Sequence, residues 1–198
     1  MRILLAGATG VIGARLVPLM LEAGHDVVGI TRTPSKAALL TAAGATPVVA
    51  DVMDAAAMLT VAHEHRPDLV MHQATDLPDR RSALLFKVRG LGRIRTVGTD
   101  ALVAAASAVD AHLIAQSVAF SLPGAAQRAV AYLEDAVDSV GGLSIRYGLF
   151  YGPGTWDEQA PRSEDRVHID TAARATMDLL GEPAGVVEVR DSGVSRLR

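Results

Sequence analysis

Residues 1–13 read MRILLAGATGVIG. Ile3, Leu4 and Leu5 form an apolar run that enters a glycine-spaced turn. Val11, Ile12, Leu16, Leu19, Met20 and Ala23 then recur at helical spacing, so the stretch predicts a strand, a tight turn and a helix. Gly7, Gly10 and Gly13 stand three apart. Glycines so placed let the chain turn sharply, bring backbone up to a pyrophosphate with no Cβ between, and pack the new helix close to the strand. The helix N-terminus then turns its free N–H groups toward the phosphates. Gly7, Thr9, Gly10, Val11, Ile12 and Gly13 are therefore the expected dinucleotide cradle. A glycine triplet also occurs in ordinary βα turns. The weight here comes from its setting between an apolar strand and an amphipathic helix, with a second apolar strand following at once.

Composition narrows the remaining classes. The 198 residues are 49% hydrophobic and 4% aromatic, enough for one sizeable core and too few for two ordinary domains, so residues 1–198 are expected to form a single dinucleotide-binding domain. The net charge is −3 and no basic run could follow a phosphate backbone, which argues against a nucleic-acid partner. Apolar runs are short and broken by Gly, Pro or charge, so neither a membrane span nor a signal peptide is expected and the chain reads as cytoplasmic. With no cysteine there is no disulfide, no thiolate nucleophile and no Cys-ligated metal. His63 and His65, beside Arg66, read as a solvated helix end, and no metal site is expected. Lys36 and Lys87 are the only lysines.

Outward from the first helix, Gly24 and His25 end it, and Pro18 within it predicts a slight kink. Asp26–Thr31 is a second buried strand that runs into Thr31-Arg32-Thr33-Pro34-Ser35-Lys36. This is where a dinucleotide fold meets the adenosine ribose: a carboxylate there accepts from the 2′-hydroxyl, and an arginine suits a 2′-phosphate. Thr31, Arg32 and Lys36, with no carboxylate among them, favour NADP over NAD. A helix over 34–43, a strand over 46–50 ending at Asp51-Val52, a helix over 55–65 and a strand over 68–74 ending in His72-Gln73-Ala74-Thr75 follow. His72, inside an apolar strand, reads as a packed structural histidine. Residues 79–109 form a long glycine-punctuated segment that ends in an Ala-rich helix over 99–109. A strand over 111–117, a helix over 125–140, a strand over 143–147, a helix over 171–180 and a short strand over 185–189 complete the pattern, with a frayed tail to Arg198.

GATGVIG, HQA, TVGT and RYGLFYGPG together resemble the short-chain dehydrogenase/reductase superfamily, in its extended or atypical branch of NAD-dependent epimerase/dehydratase-like proteins. The resemblance implies that Asp51, with Val52 beside it, accepts from the adenine amine. It also implies that Gln73, Ala74 and Thr75 line the nicotinamide side, that Gly148 passes under the carboxamide, and that Ser117 occupies the catalytic Ser/Thr position. The chain departs from the family at telling places. Arg95 stands where the family keeps the Asn of its proton relay. The YxxxK pair is absent: four residues after Tyr132, Tyr147 and Tyr151 come Ala136, Tyr151 and Thr155. With that pair gone, Tyr151 and Asp76 are the titratable groups expected nearest the crevice. Residues 157–166 read as a mobile remnant of the family's substrate lobe, and the residues to Arg198 are not expected to form the family's C-terminal lobe.

Strands alternating with helices predict an α/β fold with a doubly wound parallel sheet, Rossmann-like, of about seven strands in the order 3-2-1-4-5-6-7. The ligand crevice belongs at the C-terminal strand ends where the order reverses, and the active-site mouth should be open because the substrate lobe is minimal. The small-residue helices over 99–109 and 125–140 suggest a homodimer. Three functions fit: an NADP-dependent oxidoreductase or epimerase-type enzyme acting on a small-molecule carbonyl or hydroxyl, a non-redox cyclase, isomerase or dehydratase on the same scaffold, and a cofactor-binding regulatory protein.

Overall fold

A computed structural model describes residues 1–75 and 92–198 of the chain. Its strands are β1 (Arg2–Ala6), β2 (Asp26–Thr31), β3 (Thr46–Val49), β4 (Leu69–His72), β5 (His112–Val118), β6 (Leu143–Tyr147), β7 (Leu149–Tyr151), β8 (Arg166–His168), β9 (Gly185–Arg190) and β10 (Gly193–Arg196). Its helices are α1 (Gly13–Glu22), α2 (Pro34–Ala43), α3 (Ala55–His65), α4 (Thr99–Ala108), α5 (Gly124–Asp138) and α6 (Ile169–Asp178). A π-helical turn, Ile94–Gly98, leads into α4. Among the described residues no helix is long and apolar enough to cross a membrane.

Alternation along the strands assigns the two faces of the sheet. Ile3, Leu5, Leu69, Met71, Ile114, Ile145 and Tyr147 point into one apolar cluster with residues of α1 and α6. Leu4, Ala6, Val70, Leu113 and Ala115 point into a second, with residues of α3, α4 and α5. Burial on both faces is what near-continuous apolar strands require, and it fixes register, because a one-residue slip would exchange the two sets. The main sheet runs β3-β2-β1-β4-β5-β6-β9-β10, so the expected order holds through the strand over 185–189, here β9.

Three differences have local causes. The tail is not frayed: Gly193 pairs with Arg190 and Arg196 with Val187, so β10 adds an antiparallel eighth strand through the turn Asp191-Ser192. Leu149–Tyr151 and Arg166–His168 form a small parallel sheet, β7 and β8, above the end of β6. Residues 157–165 have no regular element, and Arg166 Nη1 donates to the carbonyls of Pro161 and Ser163 within them at 2.7 and 3.0 Å. Helix α1 continues through Pro18.

The glycine turn is a packing device. Gly7 has φ +87°, and a Cβ there would stand 2.6 Å from the Gln73 carbonyl carbon. A Cβ at Gly13 would stand 2.1 Å from the Gly7 carbonyl oxygen, whereas at Gly10 the nearest atom is that same oxygen at 3.2 Å. Gly13→Ala is therefore expected to destabilise the protein by about 1–3 kcal/mol, since backbone must move to admit the methyl, while Gly10→Ala stays within about 1 kcal/mol of the native chain. Equilibrium denaturation of both variants checks this; equal losses would mean that the two glycines are confined alike.

Candidate functional site

The strand order reverses between β1 and β4, and the glycine turn leaves β1 there. Crevices of doubly wound sheets lie at such a point. Helix α1 opens with Ile12 as its N-cap residue and no capping side chain; the Ala14 and Arg15 N–H groups donate to the Gly10 and Ile12 carbonyls at 2.9 Å each, next to exposed Gly10 and Val11. The Thr9 and Thr31 hydroxyls meet at 3.4 Å and bring the turn against the end of β2. Thr31 Oγ1 also accepts from the Thr33 N–H at 3.2 Å, which shapes the chain into α2 with exposed Arg32 and Lys36 at its entry. Asp51 Oδ1 accepts from the Met53 N–H at 3.0 Å, and Val52 is buried against the π-helical turn, close to Gly98. Ala74 and Thr75 are half-buried just beyond β4, with the Gln73 backbone pressed on Gly7. These segments leave β1, β2, β3 and β4 at the C-terminal ends of neighbouring parallel strands, on one edge of the sheet. Gly148 has an internal reason to be glycine: a Cβ there would stand 2.7–2.9 Å from Arg166 backbone atoms.

The hydroxyls expected to do chemistry are differently engaged. Ser117 is 1% exposed and donates to Glu134 Oε1 on α5 at 2.5 Å, while Arg146 holds the same carboxylate with bonds of 2.7 and 2.6 Å. Burial acts to raise the Glu134 pKa, but the bonds from Arg146 and Ser117 outweigh it and hold the carboxyl below the ordinary glutamate range. Tyr151 donates to Asp191 at 3.0 Å and lies edge-on to His168 at 5.1 Å. Asp191 also accepts from Arg166 Nε and the His168 N–H, so it locks the small sheet to the β9–β10 turn. Its hydrogen bond raises the Tyr151 pKa, which makes the phenol a poorer acid at neutral pH. Tyr147 is buried and shares a 2.6 Å bond with Thr176; burial pushes its pKa up as well. Asp76 lies outside the described residues.

Two arrangements were not singled out from the sequence. Arg15 of α1 binds Asp170 at 2.6 Å and the Val11 carbonyl at 2.9 Å, and it also donates to the Pro153 carbonyl, so it joins the glycine-turn helix to the GPG loop and the start of α6. The Arg15 bond holds the Asp170 carboxyl below its usual range. The Ser117–Glu134–Arg146 network did carry a signal: Arg146 is the one charged residue in an otherwise buried strand, and Glu134 interrupts the inward helical row Val130, Leu133, Val137. Such a pair of charges has to meet.

His72 is 2% exposed and its Nε2 lies 3.3 Å from the Ile94 carbonyl. Burial, together with the Arg95 charge, lowers its pKa from 6.5 to about 4, so the ring is neutral and donates from Nε2, and Nδ1 has no partner among the described residues. This bears out the structural reading of His72. An unfolded chain binds this proton below pH 6.5 and the folded one only below about pH 4, so the contribution is complete above pH 6.5 and is lost as pH falls toward 4. The loss is expected to be about 3 kcal/mol. Denaturation at pH 7 and pH 4, with His72→Asn as the variant that lacks the titration, measures it; an unchanged pH slope in the variant would assign the acid sensitivity to other groups.

Comparison with known proteins follows the same lines. The model of the NAD dependent epimerase/dehydratase family matches residues 3–128. A 3-diazoavenalumate denitrifying reductase from a Streptomyces species is 40% identical over 180 residues, 78% of this chain and 58% of the relative, so the chain spans little more than half that protein's length. The UDP-glucose 4-epimerase of Thermus thermophilus, solved with NAD, superposes with a TM-score of 0.80 at 18% identity over 99% of this chain and 79% of that one. The Thermotoga maritima UDP-glucose 4-epimerase, solved with UDP-glucose, gives 0.79 at 17% over 99% and 79%. At those identities the likeness is one of fold. The matched residues contain the strand-turn-helix that builds the crevice, and this chain belongs to the NAD dependent epimerase/dehydratase family.

Proposed function

We propose that the crevice binds NADP(H) and that the chain is an oxidoreductase or epimerase-type enzyme for a small-molecule substrate, with a site that does not use a Tyr-Lys pair. The observation that carries the reading is Gly10. Its neighbours Gly7 and Gly13 are glycines because the chain's own backbone fills their Cβ positions, but Gly10 is exposed at the uncapped start of α1, where a missing side chain serves something outside the chain. In this reading Thr9, Gly10, Val11 and Ile12 hold the pyrophosphate, Arg32 and Lys36 take the 2′-phosphate, Asp51 and Val52 meet the adenine, and Gln73, Ala74, Thr75 and Gly148 bound the nicotinamide side. The nicotinamide, when bound, supplies or accepts hydride.

Ser117, Tyr151 and Asp76 remain the proposed groups for the substrate oxygen and its proton. Ser117 and Tyr151 now give their protons to carboxylates, so each would have to turn from its partner to help a substrate. A hydride acceptor that needs little protonation in the same step suits such a site, and the reductase activity named for the Streptomyces relative supports reduction over epimerisation. We further propose a cytoplasmic homodimer that pairs α4 and α5, whose outer face carries Ala104, Ala125 and Ala131 and is braced by a 2.7 Å bond from Tyr132 to Asp100.

Calorimetric titration with NADP and NAD tests the cofactor. Arg32→Ala is expected to weaken NADP about 10- to 150-fold, the loss of a charge-assisted contact of about 1.5–3 kcal/mol, and to leave NAD unchanged. Gly10→Val is expected to abolish binding of both, with a folded far-ultraviolet spectrum. Equal native affinity for the two cofactors would remove the NADP preference. With a confirmed substrate, Ser117→Ala and Tyr151→Phe are each expected to lower turnover about ten- to a thousand-fold; native rates in both would place the chemistry on other groups.

A further inference from the structure

Arg95 lies on the π-helical turn Ile94–Gly98, which packs over the end of β4 and approaches His72 through the Ile94 carbonyl. Insertions of this kind are frequent at functional sites. Arg2, Arg15, Arg146, Arg166, Arg190 and Arg196 each have a carboxylate within 4.0 Å. Arg95 is half-buried and has no hydrogen-bond or ion-pair partner for its guanidinium among the described residues. Burial lowers its pKa from the ordinary arginine value, yet a guanidinium does not give up its proton in a protein, so the chain retains a cation partly removed from water and uncompensated by any described residue. The ring next to it cannot compensate either, because His72 is neutral and the Arg95 charge itself disfavours a second cation there.

Such a cation is stabilised by an anion that arrives from outside. The cofactor's own anionic groups have places elsewhere under the reading above: the pyrophosphate at the start of α1, and the 2′-phosphate at the start of α2. Arg95 is instead on the π-helical turn beside His72, at the end of β4. We propose that Arg95 is the receptor for a carboxylate of the substrate, so that the small molecule handled in this crevice is an organic acid. The planar fork of a guanidinium pairs with a carboxylate through two parallel hydrogen bonds, which fixes both the position and the tilt of the acid. Charge also gives selectivity, since an ester or amide of the same shape leaves the desolvated cation unanswered. This inference rests on the crevice being a nucleotide-and-substrate site, and its test separates the two.

The probes are benzoate and its neutral counterpart benzamide, titrated onto the full 15N-arginine-labelled chain with and without saturating NADP. The readout is the Arg95 Nε–Hε resonance, identified by its absence in Arg95→Gln. Benzoate is expected to shift that resonance and slow its exchange with water, benzamide to leave it in place, and Arg95→Gln to weaken benzoate at least about ten-fold at unchanged NADP affinity, with Arg95→Lys intermediate. An Arg95 signal unmoved by benzoate in both states overturns the proposal, even if NADP binds. A loss of NADP affinity in Arg95→Gln also overturns it, because the anion would then be the cofactor's. Melting curves of the two variants keep the result readable: an Arg95→Gln chain that unfolds early while Arg95→Lys does not would make Arg95 a structural cation and overturn the proposal as well. Absence of NADP binding to the native chain would instead remove the cofactor reading, and the titration without NADP still decides for or against Arg95.

Discussion

The geometry of this protein depends on three stretches of backbone that meet with no side chain between them. The turn after β1, the start of α1 and the chain leaving β4 approach so closely that a methyl on Gly7 or Gly13 would overlap the Gln73 or Gly7 backbone. Strand, turn and helix then leave in fixed directions. Because β1 and β4 are neighbours at the reversal of strand order, the same contact that closes the core opens the crevice beside it. Packing and site formation are here one constraint.

Polar networks extend this rigidity outward. Arg15 reaches from α1 to Asp170 and the GPG loop, so the glycine-turn helix and the loop after β7 are held by one side chain. Asp191 gathers Tyr151, Arg166 and His168, and Glu134 gathers Ser117 and Arg146. The bonds to Glu134 stabilise its charged form, and both carboxylates fix the donors around them. Ser117, at the family's catalytic Ser/Thr position, and Tyr151, expected near the crevice in place of the missing pair, are thereby used as braces in this structure.

At the end of β4 the electrostatics differ. His72 is buried without charge, and Arg95 is half-buried with no counter-charge among the described residues. The first keeps a neutral ring in the core; the second keeps a cation partly out of water. A protein that supplies carboxylates to so many of its other arginines has none of its described ones at this position, next to the crevice.

Much of this was legible in the residues themselves. Period-two and helical apolar spacing located the elements to within a few residues, since burial on two faces leaves that record in a strand. The glycine spacing marked the tight turn after β1 because backbone clearance is a local property. The β10 hairpin and the β7–β8 pair were hidden: each is three or four residues long and is held by pairing with a neighbouring strand rather than by its own propensity. The partners of Ser117, Tyr151 and Arg15 were hidden because they are remote in the chain, their carboxylates standing 17, 40 and 155 residues away. Sequence determined which groups the crevice could draw on; tertiary structure alone decided which of them keep a proton or a charge to spare, because that depends on who else is within hydrogen-bond reach.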